Sequence, residues 1–140
     1  MTDAGYDFFE HTADVGMRVY GASPRELFAQ AAKGMTALLV ESGPLEAETS
    51  RPIALRAENA EALFRAWLGE LLFWFATDRF VPVEVAFEVV TPTEAKGQVR
   101  GTRFDPTRHA PGTEIKGLTY HQFELKQIAD GWEARVIFDV

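Results

Sequence analysis

No cysteine occurs among the 140 residues, which excludes disulfides and thiolate-bound metals and fits a reducing compartment. No apolar run reaches the roughly 20 residues that a bilayer span requires. Met1-Thr2-Asp3 lacks the basic-then-apolar opening of a secretory signal, so no membrane association and a cytoplasmic location are expected. The glycines are scattered, and none stands between strand and helix at the spacing of a phosphate loop or dinucleotide fingerprint. A Gly-x-Ser-x-Gly elbow is missing too. Bases are scarce: 14 Lys and Arg stand against 21 Asp and Glu, a net charge of −7. Tight direct binding to RNA or DNA needs clustered bases on phosphates and is not expected. The densest basic patch, Arg100, Arg103 and Arg108, is interrupted by Asp105 and reads as a solvated loop. An acidic surface favours a metal ion or a basic protein partner instead.

What is present reads as one domain over residues 1–140, long enough to bury a core without staples. Ser23-Pro24-Arg25-Glu26 supplies an N-cap, a proline at the first helical position and the acid of a capping box. Leu27, Phe28, Ala31, Met35, Leu38 and Leu39 then recur at helical spacing, which predicts a helix from about Pro24 to Val40. Asn59 caps a second helix from about Ala60 to Phe75, apolar over much of its circumference, with Trp67 and Leu71 expected in the core. The remainder alternates as strands. Pro52 places the segment from Arg51 to Ala57 at a sheet edge or at the start of its ladder, and a long strand runs from Val81 to Val89. A polar stretch from Thr102 to Gly112 reads as the longest loop. Asp130-Gly131 marks a hairpin into a last strand. The fold class is therefore α+β, with two helices packed on curved, mostly antiparallel sheet.

Chemistry concentrates at two places. Glu10-His11-Thr12-Ala13-Asp14-Val15-Gly16 reads as strand, tight turn, strand, holding His11 and Asp14 at one end of a sheet. Asp14 in such a turn can instead cap its own backbone, with His11 merely exposed. At the other end of the chain, Val136-Ile137-Phe138 is apolar on consecutive positions, as in a strand covered on both faces. Asp139 and the α-carboxylate of Val140 follow it. If Asp14 meets that end, three anionic groups share one spot, which is costly without a cation. Oxygen-only donors point to a hard ion, Ca²⁺ before Mg²⁺. His11, His109 and His121 all fall in polar, loop-like stretches. Three imidazoles can hold zinc, although no local His-x-x-x-His pair occurs.

These residues resemble the archease family, small proteins that assist the RtcB-type RNA-splicing ligase. The resemblance is carried by Phe9-Glu10-His11-Thr12-Ala13-Asp14-Val15-Gly16, by Ser23-Pro24-Arg25-Glu26-Leu27-Phe28 and by Ala66-Trp67-Leu68-Gly69-Glu70-Leu71-Leu72. Arg108-His109, Ile115-Lys116-Gly117-Leu118-Thr119-Tyr120-His121 and Val136-Ile137-Phe138-Asp139-Val140 complete it. Gly117 and Asn59 depart from the family's usual residues. The resemblance implies a non-catalytic protein that promotes guanylylation of the ligase by GTP and lets it turn over repeatedly. The ligase joins RNA ends bearing a 2′,3′-cyclic phosphate or 3′-phosphate to a 5′-hydroxyl, as in tRNA splicing and RNA repair. RNA would then be touched only indirectly, through the ligase. Asp14, Asp139 and Val140 correspond to the family's metal site. His11, His109, Lys116 and His121 are candidates for contact with the ligase or a nucleotide.

Two other readings compete with the activator. A metal-dependent hydrolase would use His11, Asp14, His109 and His121 around an open coordination position. A chaperone-like module would hold clients on its acidic surface and exposed aromatics.

Overall fold

A computed structural model describes residues 4–11 and 14–140, apart from the side chains of His11 and His121. The chain runs β1 (Gly5–His11), β2 (Asp14–Gly21), α1 (Pro24–Leu39), β3 (Val40–Ser42), β4 (Thr49–Arg56) and α2 (Ala60–Asp78). It continues through β5 (Phe80–Val90), β6 (Glu94–Arg103), β7 (Ala110–Pro111), β8 (Gly117–Ile128) and β9 (Gly131–Asp139). A four-stranded sheet has the order β1-β2-β9-β8, a three-stranded sheet the order β4-β6-β5, and β3 and β7 form a short ribbon. All these pairings are antiparallel. Both helices pack against strands of both larger sheets.

The helix ends follow from their caps. The Ser23 hydroxyl accepts the Glu26 N–H, and the Glu26 carboxylate reaches past Ser23 to the Ala22 N–H. The capping box is thus displaced by one residue from the expected partner. Asn59 Oδ1 accepts the Ala62 N–H. The second helix runs three residues beyond the expected Phe75, because Arg79 takes a left-handed conformation (φ 57°, ψ 28°) and closes on the Phe75 and Trp74 carbonyls. Glycine is the usual residue at such a cap, and a side chain there costs roughly 1–2 kcal/mol.

Trp67, Leu68, Leu71 and Phe64 are fully buried. Trp67 Nε1–H donates to the Phe28 carbonyl at 2.9 Å, tying the helices together where burial would otherwise leave the indole N–H unpaired. The long strand does not alternate regularly. Register shifts interrupt β5 between Pro82 and Glu84 and between Phe87 and Val89. Helix α1 supplies a donor at each irregularity: Thr36 Oγ1–H to the Pro82 carbonyl, and the Arg25 guanidinium to the Phe87 and Glu88 carbonyls. Such bulges bend a strand. The expected Thr102–Gly112 loop is shorter, since Thr102 and Arg103 extend β6 and Ala110–Pro111 pairs with β3. Pro52 does lie on an edge strand.

Candidate metal and partner site

In the β2–β9 ladder Val15 pairs with Phe138. One residue further out, the same register sets Asp14 against Asp139. His11 pairs with Asp14 on the outer side, and Gly117 pairs with Asp139 on the other. Four strand ends therefore stand in a row, with neighbouring strands about 4.8 Å apart. Directly opposed residues share a face, with Cβ atoms about 5 Å apart, so this register puts Asp14 and Asp139 on one face of the sheet. Asp14 is half-buried and Asp139 exposed. The strand that delivers Asp139 is held firmly, since Val136, Ile137 and Phe138 are each 0% exposed. Val140 packs partly buried against the core. Thr12 and Ala13, the expected turn, lie outside the described residues.

Lys116 is brought to the same row by its backbone, whose N–H donates to the Asp139 carbonyl at 2.7 Å. Its side chain is exposed. An added Cβ on the adjacent Gly117 would meet nothing within 4 Å among the described residues. The donor chemistry is oxygen, which suits a hard divalent cation rather than zinc. Among the described residues no three His, Cys, Asp or Glu side chains gather at metal-ligand spacing. The two carboxylates would need further oxygens from Val140, solvent or a partner.

Behind the row, Phe9 lies across Gly16. The guanidinium groups of Arg18 and Arg135 stand 4.5 and 4.4 Å from its ring centroid. A Cβ on Gly16 would collide with the Phe9 ring. Gly16→Ala is therefore expected to displace Phe9 and lower stability by about 1–3 kcal/mol, read by chemical denaturation; an unchanged midpoint would show that the ring moves freely. An aromatic opposite a glycine across a hairpin was the signal for this support, and sequence reasoning passed over it.

The histidines correct the sequence reading. His11 and His121 belong to strands β1 and β8 rather than loops, and their side chains lie outside the described set. His109 is buried, only 4% exposed. Its Nδ1 accepts the Asp105 N–H at 2.9 Å, and its Nε2 lies 2.7 Å from the Pro44 carbonyl. A backbone N–H can only donate and a carbonyl only accept, so Nε2 carries the proton and both nitrogens are occupied. A set of three imidazoles on one metal is thereby excluded, and His109 offers no nitrogen to a partner or nucleotide. It clamps the 104–109 loop instead. Asp105 strengthens that loop: its carboxylate accepts from Thr107 Oγ1–H and N–H, and those bonds hold it below the usual carboxylate range. This contribution is present above the ordinary carboxylate pKa and is lost as pH falls through the lowered one. His109→Ala removes the partner of the Asp105 N–H and of the Pro44 carbonyl, at an expected total cost of about 1–3 kcal/mol. Amide exchange at Asp105 should accelerate; continued protection would assign the loop's order to other contacts.

The model of the Archease protein family matches residues 6–140 of this sequence. The chain belongs to the archease family. Among archease relatives, the protein from Methanosarcina acetivorans is 35% identical over 96% of this chain and 95% of its own length. That from Archaeoglobus fulgidus is 34% identical over 96% and 98%. The solution structure of Methanobacterium thermoautotrophicum protein 1598 superposes with a TM-score of 0.84 at 28% identity, covering 97% of this chain and 99% of that one. A Thermotoga maritima archease, described as a possible chaperone, gives a TM-score of 0.64 at 25% identity over 94% of each chain. The α+β architecture, with two helices on open antiparallel sheets, is the archease fold. No helix among the described residues is long and apolar enough to cross a membrane.

Proposed function

We propose that this archease-family chain is a non-catalytic activator of an RtcB-type RNA ligase, acting in the cytoplasm in tRNA splicing and RNA repair. It would promote guanylylation of the ligase and permit repeated turnover. The observation that supports this reading is the β2–β9 register, which, extended one residue beyond Val15 and Phe138, faces Asp14 with Asp139, while the Lys116 N–H bonds to the Asp139 carbonyl. Asp14 and Asp139, with Val140, would hold a divalent ion, Ca²⁺ or Mg²⁺. When bound, such an ion supplies positive charge that offsets the paired carboxylates. Lys116, bonded to Asp139 through its backbone and exposed in its side chain, would be suited to an acidic group of the ligase or a phosphate. The net charge of −7 disfavours direct hold on RNA and leaves that contact to the ligase.

The test is guanylylation of the ligase by GTP, with and without this protein. Stimulation in trans, with multiple turnover, is the expected result. No effect on the ligase, with phosphoester hydrolysis by the protein alone, would replace the activator by an enzyme. Lys116→Ala is expected to weaken stimulation severalfold while leaving the melting temperature unchanged, because the side chain is exposed. Full stimulation by that variant would return Lys116 to the solvated surface.

A further inference from the structure

Three adjoining concavities run along one side of the molecule, and neither Asp14 nor Asp139 lines them. Their volumes are about 720, 490 and 430 Å³. The largest shares Arg79, Phe104 and Pro111 with the second, and Glu48 and Arg103 with the third. Together they form one groove. Arg79, Arg103 and Arg108 all line its widest part, with Phe104 and Thr102 between them. These arginines come from three elements: the C-cap of α2, the end of β6 and the loop clamped by His109.

The charge at this place runs against the charge of the whole. The protein carries −7, yet three arginines line the widest part of this groove against two acids. Of the two acids that line the same wall, Asp105 is occupied by Thr107. Glu48 lies 3.6 Å from Arg108. Among the described residues neither Arg79 nor Arg103 has a carboxylate at ion-pair distance. Arg100, the third member of the basic patch in the sequence, turns away and pairs with Glu84 at 3.2 Å. Arg79 moreover keeps a side chain where the backbone favours glycine.

Guanidiniums that outnumber the acids beside them, two of the three without a carboxylate at ion-pair distance among the described residues, are suited to phosphate oxygens, which they grip bidentately. The volume of the widest part falls in the range of small-ligand sites. The loop carrying Phe104 and Arg108 is already ordered by His109, by Asp105 and by the Phe104 N–H bond to the Arg79 carbonyl. Binding therefore needs little reorganisation. We infer that this groove binds the polyphosphate group of a small ligand, through Arg79, Arg103 and Arg108. The polyphosphate can be free or part of a nucleotide, whose base would lie against Phe104.

Calorimetry with pyrophosphate and with ADP tests this and separates the two sources. The wild type should bind at least one of them, more weakly as salt rises. Tighter binding of ADP marks a nucleotide, and equal binding marks free polyphosphate. Arg79→Gly and Arg103→Ala should each lower the affinity about tenfold. Arg79→Gly should also raise the melting temperature, so its loss of binding cannot reflect unfolding. Arg100→Ala removes the same charge elsewhere and should leave affinity unchanged. Absence of binding to either probe at millimolar concentration, or an equal loss with Arg100→Ala, would overturn the proposal. So would tighter binding of a short single-stranded RNA than of both probes.

Discussion

Asp139→Ala is expected to lose Ca²⁺ binding and ligase stimulation together while melting, without metal, close to the wild type. Loss of even an outer partner of a metal ligand costs about 10–100-fold in affinity, so loss of a ligand should cost at least that. Asp139 is exposed at the end of its strand, and exposed substitutions usually change stability by no more than about 0.5 kcal/mol. Ca²⁺ at a hundred times its dissociation constant would stabilise the wild type by about 2.7 kcal/mol. The variant should show no such rise. Asp14→Ala should reproduce the loss of binding and stimulation, because its carboxylate comes from the neighbouring strand at the same level. Titration calorimetry with Ca²⁺ on wild type and Asp139→Ala decides the matter. Equal heats would dismiss the assigned site while leaving family membership intact.

Trp67→Ala is expected to be the most damaging single substitution in the core. The indole is fully buried, lies roughly parallel to Phe28 at a centroid distance of 6.4 Å and meets Phe87 edge-on at 5.2 Å. Truncating a buried tryptophan costs about 3–5 kcal/mol, out of a total that for most domains is about 5–15 kcal/mol. Trp67→Phe keeps a ring in that space but cannot donate to the Phe28 carbonyl. Its cost should be smaller, about 1–3 kcal/mol for the lost bond and part of the volume. Urea denaturation of the two variants separates packing from hydrogen bonding. Equal losses would mean that the ring contacts add nothing beyond the bond.

The helices were legible because their signals are local. Ser23, Pro24 and Asn59 stand where caps are needed, and the apolar spacing that follows belongs to one face. Val136-Ile137-Phe138 was legible for a different reason: only a strand covered on both sides tolerates three consecutive apolar residues. Asp14 and Asp139 could be read as candidates, but their register depends on a pairing between strands distant in sequence. His109 was misread because its stretch is polar, whereas its burial is set by Pro44 and Asp105, one of them far away in the chain. The end of α2 depended on Arg79 entering a conformation that its residue type disfavours. The bulges of β5 depended on donors from α1. The arginine groove was hidden most completely, since Arg79 contributes to it from outside the basic patch.

The place of β9 between β2 and β8 has a kinetic consequence. β1–β2 and β8–β9 are each local hairpins, of a kind that closes in microseconds. Joining them requires contacts between residues more than a hundred positions apart, such as Gly16 with Ile137. Non-local pairing of this sort is slow, because the loop must close before the contacts reward it. The seam between the two hairpins should therefore form late, and Asp14 faces Asp139 only once it has formed. A cation that binds there would slow the reopening of the seam more than it speeds closure. Rapid-mixing experiments would see it as a longer-lived native state with nearly the same folding rate.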